Sequence, residues 1–222
     1  ISSGLPSQKS GSSGGGVFHV SQDKSETVIV KLFGGNVHGL IKGEEGYYFN
    51  AQGDGIYHLD LGSNLANKVI DVPPGLRPHG MAILNDNFYI VSSYDDALIC
   101  LDPLGNELKR FELSGKKGRI GSAQHHCNDV AIHNGYAYIS MFSVTGNWKQ
   151  SIFDGGIIEL NLETGEQKTI INTLTMPHNV AFYGNEIRVM NSFRGEILLG
   201  NFEVFGQLPG FVRGYDEDAN YL

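Results

Sequence analysis

Three histidines, an asparagine and an arginine recur at one place in a repeated phrase. The phrase reads Val37-His38-Gly39-Leu40, Pro78-His79-Gly80-Met81, Cys127-Asn128-Asp129-Val130, Pro177-His178-Asn179-Val180 and Val212-Arg213-Gly214-Tyr215. Copies lie about 35–50 residues apart, the period of repeat arrays. Residues at one place in a repeat take equivalent backbone positions, so His38, His79, Asn128, His178 and Arg213 are expected to ring a common axis. Three neutral imidazoles (His38, His79, His178) meeting there suit Zn, Fe, Mn or Ni, with water in an open position. Such an ion polarises a carbonyl or lowers the pKa of its water. Mg is a further candidate, although hard cations prefer carboxylates and only Asp129 adjoins the ring. Arg213 brings the planar fork that recognises carboxylate or phosphate. Two functions fit. One is a metal-dependent lyase or hydrolase acting on a small anionic, lactone or peptidic substrate. The other is a non-catalytic module that holds a protein, peptide or glycan, its histidines being structural residues copied by the repeat.

The elements that position these residues are short strands. Met81–Leu84, a turn at Asn85-Asp86-Asn87, Phe88–Ser92, a loop, Ala97–Asp102, a turn at Pro103–Asn106 and the alternating Glu107–Leu113 make one unit of four strands, as hairpin chemistry and period-2 patterning require. The pattern recurs, and no segment reads as a long amphipathic helix. The expected fold is all-β, a β-propeller of four-stranded blades. Blades are expected at 35–74, 75–114, 122–172 and 175–207, with a partial blade at 1–34 and the start of a further or closing blade at 210–222. Six blades result if the chain continues past Leu222, which its stop in mid-strand favours; five result if the last strand closes on the first blade.

In that architecture the first strand of each blade lines the central channel. The loop leading into it opens on the same face as the loop between the second and third strands. Asn50 and Asn191 end second strands on this face and are expected as a second layer of substrate contacts. Two loops there are long, Ser3–Gly15 and Phe142–Gly155, and the latter carries Trp148 and Lys149. His125-His126-Cys127 leaves the register of its blade open, because a one-residue slip would put His126 in the ring and turn Asn128 away. Cys127 would be a nucleophile only with a lowered pKa, for which His126 is the available source. Asp95-Asp96 reads as a solvated turn. The Gly-Ser run at Gly11–Gly16 lacks the Lys-Ser/Thr of a phosphate-binding loop and reads as a flexible connection.

The net charge of −8 argues against a nucleic-acid partner, and no apolar run approaches the length of a membrane span. Two cysteines are too few for a disulfide framework, which makes a reducing, cytoplasmic setting the default expectation. The expected partners are a small-molecule or peptide ligand, with a protein partner on the loop face as the further candidate.

The stretches RPHGMAILNDNFYIVSSYDDALICLDPLGNELKRFEL and MPHNVAFYGNEIRVMNSFRGEIL resemble blades of the NHL, gluconolactonase and streptogramin-lyase class of propellers. With GQLPGFVRGYDEDANYL, the second also resembles a bacterial six-bladed propeller family. The resemblance implies a divalent metal in the channel. Gluconolactonases hold theirs through a glutamate, asparagines and an aspartate. Streptogramin lyases use histidines and a glutamate with magnesium, and share the Pro-His-Gly phrase. No position of this chain matches the glutamate of either family, so neither activity carries over residue by residue.

Overall fold

The computed structural model describes residues 15–22, 26–72, 76–115 and 123–216, with the backbone of Ser2–Ser3. Residues 4–14, which make up nearly all of the Ser3–Gly15 loop and most of the Gly-Ser run, and the final residues 217–222 lie outside the described residues. The chain forms two compact units, one of Ile1–Ile90 with Cys100–Lys109, the other of Val91–Ile99 with Arg110–Leu222.

Nineteen strands are described. The first sheet has the order β1-β2-β3, from Ser2–Ser3, Gly16–Gln22 and Thr27–Gly34. The second runs β4 (Val37–Lys42), β5 (Tyr47–Ala51), β6 (Gly55–Asp60), β7 (Leu65–Asp71). The third holds β8 (Pro78–Leu84), β9 (Asn87–Ser92), β10 (Ala97–Leu101) and β11 (Glu107–Glu112). The fourth holds β12 (Cys127–His133), β13 (Tyr136–Met141), β14 (Gly155–Asn161) and β15 (Gln167–Leu174). The fifth holds β16 (His178–Tyr183), β17 (Glu186–Asn191), β18 (Glu196–Leu199) and β19 (Glu203–Gln207). Sequential strands are neighbours in every sheet, so each is a meander, the unit of a propeller blade.

Local chemistry explains the meanders. Asn85 and Asp86 take φ of 50° and 62°, the left-handed pair that a two-residue hairpin needs and that Asn and Asp tolerate. Asn134 and Gly135 repeat this at φ of 50° and 81°. Outer strands carry the exposed residues, as in β11 and β15. β10 is buried along its whole length.

Packing follows from that gradient. In the first unit Val17, Val37, Phe49 and Leu59 form a buried cluster beneath Phe33 and Tyr57, and the Phe49 and Tyr57 rings stack 5.4 Å apart at 9°. In the second, Ile157, Leu174, Val180, Val189 and Leu198 fill the space between the two blades. Each such side chain contributes roughly 1.5–3 kcal/mol.

Residues 211–216, read from the sequence as the start of a further strand, form none. A strand needs a partner ladder for its backbone groups. Here the Val212 amide donates to Ser192 O instead, at 3.3 Å.

Candidate functional site

The first strands β4, β12 and β16 each carry a bulge within or just after the repeated phrase. Val37 faces Ala51 and His38 faces Asn50, but the next pair is Ile41 with Tyr48, so the first strand holds one extra residue. Cys127 with Met141 then Val130 with Ile139, and His178 with Met190 then Ala181 with Arg188, repeat the offset. A bulge bends the strand and re-aims its side chains. Gly39 takes it up at φ 60°, where a Cβ would lie 2.9 Å from His79 O. Asn179 does so at φ 51°.

In the first unit His38 and His79 come together, their rings 4.4 Å apart. Asn50 is fully buried and donates from Nδ2 to His79 O at 2.7 Å. Its amide therefore clamps the next phrase in place.

The second unit answers the register question. Cys127 pairs with Met141, so Asn128 enters β12 where His178 enters β16, and His126 stays in the preceding loop at φ 54°. Asn128, also fully buried, donates to Pro177 O at 3.3 Å, again the next phrase. Asp129 Oδ2 accepts the Asn179 amide at 2.8 Å. Asn191 accepts the Thr175 amide at 2.7 Å and donates to Glu196 Oε2. His178 Nδ1 lies 2.9 Å from Ser192 Oγ and 3.1 Å from Met176 O. The carbonyl can only accept, so a proton on Nδ1 fits both, and this tautomer makes Nε2 the acceptor.

Asp96 organises the loop before β12. Expected in a solvated turn, it is 1% exposed. Its Oδ2 accepts the Gln124 and His125 amides and its Oδ1 accepts the His126 amide. Burial cannot be read from an Asp-Asp pair, because the donors that pay for it come from 28 to 30 residues away. Cys127 is fully buried, and desolvation, with Asp96 beside it, pushes its thiol well above the ordinary range. That rules it out as an activated nucleophile. Both cysteines are free.

The long loop between β13 and β14 is held firmly. His125 Nδ1 meets Ser143 O at 2.8 Å, Ser143 Oγ donates to Asp154 at 2.6 Å, and the Trp148 amide donates to Gln124 O at 3.0 Å. Burial works to raise the Asp154 carboxyl, but hydrogen bonds from Ser143 and Thr145 outweigh it and leave the group below its usual range.

This loop sets up a continuous aromatic series. The Trp148 and His126 rings stack 4.4 Å apart at 26°. His126 meets Phe142 at 4.5 Å, Phe142 meets His178 edge-on at 5.4 Å, and His178 meets Phe211 edge-on at 5.6 Å. Burial pushes His126 down to about 4; Asp96 opposes this and Arg213 adds to it. His126 is thus neutral at neutral pH, and Arg213 is within electrostatic reach of it. Of the sequence-derived candidates, His126, Trp148, His178 and Arg213 gather here. Phe142 and Phe211 were missed. Phe142 follows a buried strand and read only as a loop boundary; Phe211 read as strand.

The metal expectation can be tested on these side chains. Among the described residues no three His, Cys, Asp or Glu side chains form a cluster that could hold an ion. His178 is 2% exposed and His79 is 8% exposed.

Four-stranded meanders repeated along the chain define a β-propeller. The chain belongs to the family described as Domain of unknown function (DUF4915), whose model matches residues 67–222. No curated protein matches the sequence. Among solved structures, a chain of the nidogen/laminin complex is similar at TM-score 0.62 and 12% identity, covering 86% of this chain and 72% of that one. Regucalcin, a calcium-binding protein from Agrobacterium tumefaciens str. C58, is similar at TM-score 0.51 and 14% identity, covering 77% and 57%. The computationally designed Ika8 protein is similar at TM-score 0.50 and 11% identity, covering 90% and 65%. This chain spans less than two thirds of the regucalcin and Ika8 chains. At these identities the likeness shows the fold alone.

Proposed function

We propose that this chain is a non-catalytic, peptide-binding propeller. The occupant is a peptide segment carrying an aromatic side chain beside a carboxylate. One observation carries the reading: the aromatic series has a buried middle and open ends. Phe142 is 9% exposed, whereas Phe211 is 47% exposed, and Trp148 at the other end is partly exposed. Buried rings fix the exposed ones as a rigid platform, which lowers the entropy lost on binding. Phe193, at 65% exposure, widens the apolar surface.

Cations accompany the rings in a protein that is acidic overall. Lys149 follows Trp148, Arg194 follows Phe193, and Arg213 lies two residues past Phe211. Guanidinium groups favour carboxylate partners in a forked geometry. The similar nidogen/laminin structure is a complex between proteins, a use of the scaffold that agrees with this reading.

Trp148 is the only tryptophan, so its fluorescence reports this surface alone. Titration with acetyl-glutamyl-phenylalanyl-glutamyl amide is expected to give a saturable change. Arg213→Ala should weaken it about tenfold, the loss of one charge-assisted contact. An equal response to the lysyl-phenylalanyl-lysyl counterpart, or no response to either, would overturn the proposal.

A further inference from the structure

At the end of β16 away from His178, the second unit contains a groove of about 650 Å³. Its walls include Tyr138, Phe182, Tyr183 and Phe202, with the carboxylates Glu159 and Glu186. It is separate from the aromatic series, and the peptide reading does not depend on it.

The walls are built rather than incidental. Tyr138 OH donates to Glu159 Oε2 at 2.8 Å. Burial, then the Glu159 carboxylate, pushes the phenol up to about 12, so it remains a donor at neutral pH. The Tyr138 and Phe182 rings meet at 4.7 Å, and His133 backs Phe182 in a parallel stack at 4.3 Å. These contacts fix one carboxylate at the Tyr138 hydroxyl and hold the Tyr138 ring against Phe182.

The neighbouring wall already displays the chemistry that such a surface favours. The Arg188 guanidinium lies 4.5 Å from the centre of the Tyr183 ring. It also donates to Glu186 Oε2 at 3.0 Å and 3.3 Å. One guanidinium is thus held between a ring and a carboxylate on this rim. Glu159 and Tyr138 on the adjoining blade, with Phe182 of this one, likewise set a carboxylate near aromatic rings, and all three side chains line the groove. Cation–ring attraction strengthens when water is displaced, and a pocket of this volume accommodates a side-chain-sized ligand.

We propose that this groove binds the side chain of an arginine presented by a partner protein, the guanidinium lodging between Glu159 and the Tyr138 and Phe182 rings. The net charge of −8 favours the approach of a cationic segment.

Calorimetric titration of the intact protein with N-acetyl-arginine amide tests this, with the neutral isostere N-acetyl-citrulline amide as comparison. Saturable binding of the arginine compound is expected, with the citrulline compound at least about tenfold weaker, a difference of about 1.4 kcal/mol. Glu159→Gln should reduce affinity about tenfold and raised salt should reduce it further. If Glu159→Gln does not fold, Phe182→Leu, which removes one ring of the site, decides, with a smaller loss expected. Equal binding of the two compounds, no saturable binding of either, or unchanged affinity in a folded Glu159→Gln or Phe182→Leu protein would overturn the proposal.

Discussion

Asp96→Ala is expected to destabilise the protein by about 4 kcal/mol. The carboxylate is buried and accepts three backbone amides, those of Gln124, His125 and His126. Alanine leaves all three donors in a site that water reaches poorly, and each orphaned donor costs about 1–3 kcal/mol. Three such donors sum to about 3–9 kcal/mol, and partial rescue by solvent keeps the loss near the lower end. In a chain of this size the melting temperature should fall by roughly 8–16 °C. Asp96→Asn should lose about half as much. One oxygen remains to accept, Asn tolerates the left-handed backbone at φ 50°, and the new amide faces donors it cannot satisfy. The neighbouring Asp95, which accepts from Ser92 Oγ at 3.2 Å and is less buried than Asp96, is the comparison, and Asp95→Ala should cost less than Asp96→Ala. Denaturant midpoints of the three variants check this. A loss below about 1 kcal/mol in Asp96→Ala would show that the loop before β12 is not organised as described.

Acidification is expected to remove about 3 kcal/mol of stability through His126. The folded group sits at about 4 because burial disfavours its charge; Asp96 opposes that and Arg213 reinforces it. The unfolded group titrates near 6.5. Between those values the unfolded chain holds more protons than the folded one, so stability rises with pH. The contribution is complete above about 6.5, falls as pH drops toward 4, and is lost below that. The Phe142 and Trp148 rings that pack on the imidazole are uncharged, so Asp96 and Arg213 are the charges that face it. His126→Asn keeps a residue suited to φ 54° and removes the titration. It loses the stack with Trp148 at every pH, which shifts the level but not the slope. Near pH 5 the wild-type plot of unfolding free energy against pH should therefore be steeper than that of the variant by about 0.9 proton, about 1.2 kcal/mol per pH unit, and the excess should fall to about half a proton at pH 6.5. Parallel plots would refute the assignment.

The repeat made much of the fold legible. Turn residues such as Asn85-Asp86 and the spacing of the phrase identify strands because their causes are local. Trp148 could be placed near the phrase because both flank channel-facing loops. The side-chain geometry was less legible. Periodicity gives His178 an equivalent backbone position, but its ring direction follows from Ser192 and Met176, partners peculiar to that blade. Asp96 looked solvated because its donors are distant in sequence. The His126 stack joins residues 22 apart across a loop of irregular backbone, where no period operates. Asn50 and Asn128 show the same limit. Both read from the sequence as ligand contacts, and the periodicity gives no sign that each also donates an N–H to the backbone of the next phrase.

Hydrogen exchange of the intact protein, with and without acetyl-glutamyl-phenylalanyl-glutamyl amide, tests the central claim most directly. The platform predicts slowed exchange confined to residues 142–155 and 192–213, with His126→Asn reducing the effect. Protection elsewhere with none in these segments, or identical exchange with and without saturating peptide, would contradict it.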